Sequence, residues 1–89
     1  TGQRCVSASR ILVHESIIDK YAAEFVATAK RLKFGDPLDA SNFAGPLIHE
    51  EHRKKVMGYN ELAKSEGVTV LLDAAPIGKD GCFVSPFAY

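Results

Sequence analysis

Ile17, Ile18, Tyr21, Ala22, Phe25, Val26, Ala29 and Leu32 recur at spacings of three and four. That period puts them on one face of an α-helix of four to five turns, so this stretch must lie against something apolar. Ser16 offers an N-cap oxygen before the run, and Asp19 stands where the acid of a capping box would be. Lys30, Arg31 and Lys33 suit the negative end of the helix, and Gly35 is placed for a left-handed cap.

The flanking segments read as follows. Arg10-Ile11-Leu12-Val13-His14 is short, apolar and partly β-branched, as a buried strand is. The connection from Gly35-Asp36-Pro37 to Gly45-Pro46 is rich in turn formers, and Asp36, Asp39, Ser41 and Asn42 can bond nearby backbone. A second helix is expected over about 49–65, with Glu50 and Glu51 at its positive end, Gly67 as its stop and a thin apolar stripe of Val56, Tyr59, Leu62 and Ala63. Residues 68–72 read as a strand, 73–81 as a loop and 82–87 as an edge strand because of Pro86. The order β-α-α-β-β points to an α/β fold with a parallel sheet. Two helices and three strands cannot cover both faces of such a sheet, so further chain is required. The apolar end at Phe87-Ala88-Tyr89 and the start without methionine give the expectation of a segment truncated at both ends.

Composition narrows the function classes. Eleven basic and eleven acidic residues give net charge zero, with no electrostatic reason for nucleic acid or an anionic membrane as a partner. Two cysteines, Cys5 and Cys82, do not make a disulfide framework, which suits the cytosol. His14 and His49 lack further ligands at metal spacing, so no metal site is expected. Glu50-Glu51 are adjacent on a helix and do not face each other, which leaves them as helix-dipole acids. Gly35-Asp36-Pro37 lacks the lysine and hydroxyl residue of a phosphate loop.

One segment has a sharp chemical reading. In Gly2-Gln3-Arg4-Cys5, a cysteine between a glycine turn and the small residues Val6, Ser7, Ala8 and Ser9 can open a short helix. Backbone N–H groups there favour a thiolate and can bind an oxyanion beside it. The alternative is a small buried hydrophobe.

Gly2-Gln3-Arg4-Cys5, followed by Ser9-Arg10-Ile11-Leu12-Val13, resembles the active-site cysteine segment of the aldehyde dehydrogenase superfamily. The likeness continues in order through Ser16-Ile17-Ile18-Asp19-Lys20-Tyr21, Gly35-Asp36-Pro37-Leu38-Asp39, Gly45-Pro46-Leu47-Ile48, Lys54-Lys55-Val56-Met57-Gly58-Tyr59 and Gly81-Cys82-Phe83-Val84-Ser85-Pro86. The chain departs from the family pattern at Ser7 (usually alanine or glycine), Cys82 (tyrosine) and Phe87 (threonine). Asp73-Ala74-Ala75 also replaces a customary glycine pair.

The resemblance implies part of a Rossmann-like catalytic domain that oxidises an aldehyde to the carboxylic acid with NAD or NADP. Cys5 would be the nucleophile, passing through a thiohemiacetal and a thioester, with its own N–H helping to hold the oxyanion. The family's general base, a glutamate, its side-chain oxyanion donor and most of its nucleotide site lie outside these residues. The segment alone is therefore expected to be inactive. His52 and Lys55, on one helix face at spacing three, fall where some members approach the dinucleotide; the alternative is a solvated surface within His52-Arg53-Lys54-Lys55. Expected partners are an aldehyde, with a flavour of semialdehydes in residues 45–70, the remainder of the polypeptide and further copies in a homo-oligomer. Two rivals remain: a CoA-acylating relative, and a non-catalytic structural or interaction module of the same fold.

Overall fold

The computed structural model describes residues 4–78 and 81–89. A short 3-10 turn, Glu15–Ile17, leads into helix α1, Ile18–Lys30, and helix α2 spans Glu50–Ser65. Both helices lie where the periodicity expects them, but α1 starts differently. The side-chain cap belongs to the 3-10 turn and is His14 rather than Ser16, while α1 itself follows Ile17 with no side-chain cap: the His14 Nδ1 accepts from the Ser16 N–H at 3.2 Å and lies 2.8 Å from the Ser16 Oγ. An imidazole reaches a free N–H two residues on as well as a hydroxyl does, and the Ser16 hydroxyl is occupied as its partner.

Helix α2 ends as its sequence demands. Gly67 takes φ +74°, and the Gly67 and Val68 N–H groups bond the Lys64 and Ala63 carbonyls. Gly35 does not take the left-handed conformation; α1 closes at Arg31 instead. A Cβ at Gly35 would sit 2.6 Å from the Asn42 side chain, so glycine serves close approach there. That approach closes the 35–43 connection. Phe34 and Ala44 form a parallel bridge, the Asp36 and Asp39 carboxylates accept from the Leu38 and Ser41 N–H groups at 2.9 Å, and Asn42 donates to the Asp36 carbonyl.

The expected strands are a correction: among the described residues there is none. Residues 10–14 and 68–70 form no bridge with another segment among the described residues. A strand exists only against a neighbour, and this chain supplies none for these segments. Residues 71–77 and 83–89 do meet as antiparallel arms, through single bridges Leu72–Ala88 and Pro76–Val84. The bridges share one register, since four residues forward on one arm is four back on the other. Pro86 explains the gap between them. It falls opposite Ala74, where the alternation set by the Leu72–Ala88 pair calls for an N–H that proline lacks. Beyond it the pattern shifts: Ser85 N–H bonds the Ala75 carbonyl, and the Ala75 N–H turns to the Ser85 Oγ at 2.8 Å.

Helix α2 is tied to this hairpin at both ends. Near its start the Leu47 N–H donates to the Cys82 carbonyl at 2.9 Å. Near its end Asn60, 1% exposed, donates from Nδ2 to the Asp73 Oδ1 at 2.9 Å, while the Lys64 Nζ lies 2.9 Å from the Asp73 Oδ2. Between these ties Val56 and Val84 line a gap of about 350 Å³ with Leu32, Phe34 and Leu47. The enclosed core is slight, its buried apolar residues being Ala29, Leu47, Ala63 and Ala74. The accessible surface is 6936 Å², against about 5100 Å² for a compact monomer of this mass. Leu12 is 99% exposed and Ile11, Ile17, Ile18, Tyr21 and Phe25 are also open. The helical periodicity identified a face that needs cover, and these residues leave it bare.

Two outcomes follow. The 89 residues expressed alone should self-associate or bind an apolar dye, and a dye-silent monomer by light scattering would contradict the exposed faces. The Asp73 carboxyl is held below its ordinary 3.8, first by the Asn60 hydrogen bond and then by Lys64, and the Lys64 ammonium is held above its ordinary 10.5 by Asp73 and then Glu61. The stability from Asp73 is therefore present above pH 3.8 and lost as pH falls through the depressed value. That from Lys64 is present below pH 10.5 and lost as pH rises through the raised value. Both groups are partly exposed, so the effect is small. Thermal melts of the complete protein across pH should show Asp73→Asn removing the acid-side loss while the neutral plateau drops slightly.

Candidate active site

Cys5 lies in a turn over residues 4–7, closed by the Ser7 N–H to the Arg4 carbonyl at 3.2 Å, and it is exposed. The short helix expected to open at Cys5 is absent among the described residues; one turn is closed and no helix follows before Glu15. Gly2 and Gln3, which share the motif, lie outside the described residues. No acceptor among the described residues engages the Cys5 N–H, so this turn offers a thiol and a backbone donor on the same residue.

The chain after the turn forms one wall of an apolar groove of about 690 Å³. Ile11 and Val13 lie on that wall, Tyr21 and Phe25 on α1 and Phe87 and Tyr89 on the hairpin. Two stacked pairs stiffen it, Tyr21–Phe25 with centroids 6.1 Å apart and Phe87–Tyr89 at 5.9 Å. Cys5 does not line this groove.

His52 and Lys55 sit one turn apart on α2, His52 half-buried and Lys55 exposed. No hydrogen bond or ion pair joins either of them to Cys5 among the described residues. The His52 N–H donates to the Nδ1 of His49, which caps α2 at 3.1 Å, and the two rings meet edge to face at 6.1 Å. With Nδ1 accepting, the proton of a neutral His49 ring is on Nε2.

Beside them Arg53 grips Glu50 through two bonds, 2.6 Å from Nε and 2.5 Å from Nη2. The Arg53 guanidinium holds the Glu50 carboxyl below its ordinary value, and Glu50 in turn raises Arg53. Arg53 is thereby neutralised, whereas Lys54 and Lys55 are exposed and have no carboxylate partner among the described residues. Cys82 is half-buried, and its thiol lies 3.9 Å from the Glu50 Oε2. The two cysteines thus differ: one is presented on a turn, the other packed against α2. Both are free.

Sequence reasoning missed Asn60 and Asp73. The signal was available for Asn60, since Val56, Asn60 and Ala63 at spacings of four and three share a helix face with the buried stripe. For Asp73 there was only its departure from the family's glycine. The capping roles of His14 and His49 were also missed. Among the described residues no cluster of three potential ligands could hold a metal, and no helix is long and apolar enough to cross a membrane.

Comparison with known proteins accounts for the whole segment. It is 38% identical over 85 residues to aldehyde dehydrogenase 1 of Tanacetum cinerariifolium, covering 96% of this chain and 17% of that protein. It is 38% identical over 87 residues to a malonate-semialdehyde dehydrogenase of Bacillus cereus, covering 94% of this chain and 18% of that one. Among solved structures, a betaine aldehyde dehydrogenase from Staphylococcus aureus, in complex with NAD+ and with a BME-modified cysteine, superposes with a TM-score of 0.90. It is 37% identical, over 97% of this chain and 18% of that one. The segment thus spans under a fifth of the length of these relatives. The sequence model of the aldehyde dehydrogenase family matches residues 1–89 from end to end, and the chain belongs to that family.

Proposed function

We propose that the complete protein is an NAD- or NADP-dependent aldehyde dehydrogenase that oxidises an aldehyde, semialdehydes included, to the carboxylic acid, with Cys5 as nucleophile. The observation that carries this reading is the exposed Cys5 thiol on a turn inside a segment matched throughout to the family. Residues 1–89 are read as one piece of a catalytic domain, in which residues 10–14 and 68–72 become strands of a Rossmann-like sheet once neighbours pair with them. Family membership favours an enzyme over a non-catalytic module. Cytosolic placement and homo-oligomerisation complete the proposal.

The chemistry follows from the thiol. The Cys5 sulfur, as thiolate, adds to the aldehyde carbonyl carbon, and the resulting oxyanion takes the Cys5 N–H as one of its donors. Collapse of the adduct expels hydride and leaves a thioester on Cys5, which water then cleaves. NAD or NADP, when bound, supplies the hydride acceptor. The α2 surface suits a group bearing phosphates, since Lys55 is exposed and lacks a carboxylate partner among the described residues. On this reading His52 and Lys55 contact the dinucleotide.

In the complete enzyme Cys5→Ser should lower aldehyde oxidation by about a thousandfold or more, while Cys82→Ser leaves turnover within a small factor. Iodoacetamide labelling with peptide mapping checks the same point, and loss of activity tracking Cys82 would refute it. Replacing His52 and Lys55 together by alanine should raise the KM for the dinucleotide about tenfold and leave the aldehyde KM unchanged. Unaltered cofactor kinetics would return both residues to a solvated surface.

A further inference from the structure

The α2 stretch between its two ties to the hairpin carries His52 and Lys55. The tie near its start is made by Cys82, whose carbonyl accepts from the Leu47 N–H and whose thiol faces Glu50. At the far end Asp73 is bonded through both carboxylate oxygens, to Asn60 by one and to Lys64 by the other. Asn60 at 1% exposure is the most buried polar residue described, and a buried amide without a partner is costly; its Nδ2 donates to Asp73 at 2.9 Å, closer than to Glu61 at 3.5 Å. From Glu50 to Lys64 the helix runs about 20 Å, long enough that a change of tilt at one end displaces the residues between. The anchoring residues Cys82 and Asp73 are also two of the positions at which the chain departs from the family pattern. A hairpin loop with the customary glycine pair in place of Asp73-Ala74-Ala75 would offer α2 no carboxylate to hold.

We infer that Asp73, held by Asn60 and Lys64, is a positioning residue that fixes α2 so that His52 and Lys55 meet the dinucleotide. This rests on the proposed cofactor role of those two residues. Asp73 touches neither substrate nor cofactor; it acts by setting where a helix lies. The polar grip, unlike apolar contact, is directional, so it selects one register of α2 along the hairpin.

The test uses the complete enzyme and two variants, Asn60→Leu, which keeps side-chain volume but removes the bond, and Lys64→Met, which spares the buried site should the first fail to fold. Each should raise the KM for the dinucleotide about three- to thirtyfold, with kcat and the aldehyde KM nearly constant, and Lys64→Arg should restore it. An unchanged dinucleotide KM in folded variants would overturn the inference, as would a parallel change in kcat and both KM values, which marks general loosening. The His52/Lys55 double alanine variant separates the layers. If it raises the dinucleotide KM and the Asn60 and Lys64 variants do not, only the positioning role falls. If it has no effect, the cofactor reading falls and this inference with it.

Discussion

The Asn60 Nδ2–Asp73 Oδ1 hydrogen bond ties helix α2 to the first arm of the hairpin. Asn60 is almost completely removed from water on the inner face of α2, and a buried amide must find a partner. Asp73 lies on the first arm of the hairpin, so satisfying the amide fixes which part of α2 lies against which part of the arm. Lys64 completes the grip from one turn further along. The buried apolar residues are three alanines and one leucine, too little surface to select an arrangement by themselves. Apolar burial is non-directional, whereas the bonds to Asp73 join particular points of α2 and the arm.

The same slightness of core describes how the segment relates to its activity. Ile11, Leu12, Ile17, Ile18, Tyr21 and Phe25 form a face open to solvent, and the segment spans under a fifth of its relatives' lengths. On the proposed reading these residues contribute a thiol on a turn and a helix with three exposed lysines, Lys54, Lys55 and Lys64. On this reading the nucleophile and the cofactor-facing helix belong to one short stretch, yet no contact among the described residues joins them. On the same reading, bringing them to a common substrate falls to the rest of the polypeptide.

Legibility varied with the range of the interactions concerned. Both helices were readable, because a 3.6-residue period is a local property and Gly67 marks its end through its own backbone. The turns at Asp36 and Asp39 were readable for the same reason, since each carboxylate bonds an N–H two residues away. Strand character in residues 10–14 and 68–72 was equally visible in β-branching, but a strand is a pairing and not a property of one segment. The caps at His14 and His49 escaped because imidazole is rarely considered beside serine and aspartate, although its Nδ1 has the needed reach. Gly35 is placed by sequence for a cap but serves as a point of close approach, which depends on where Asn42 lies.

The sequence by itself determined the family, the identity of the candidate nucleophile, the two helices and the apolar face that awaits cover. Each is written in residue type and spacing over a few turns of chain. Tertiary structure alone decided that Cys5 is exposed while Cys82 is packed beside Glu50, that Pro86 interrupts the hairpin ladder, and that Asn60 and Lys64 converge on Asp73. The partners lie nine residues apart for Lys64 and Asp73, thirteen for Asn60 and Asp73, and thirty-two for Glu50 and Cys82. Only the folded backbone brings such groups within hydrogen-bond reach, and no local period encodes their meeting.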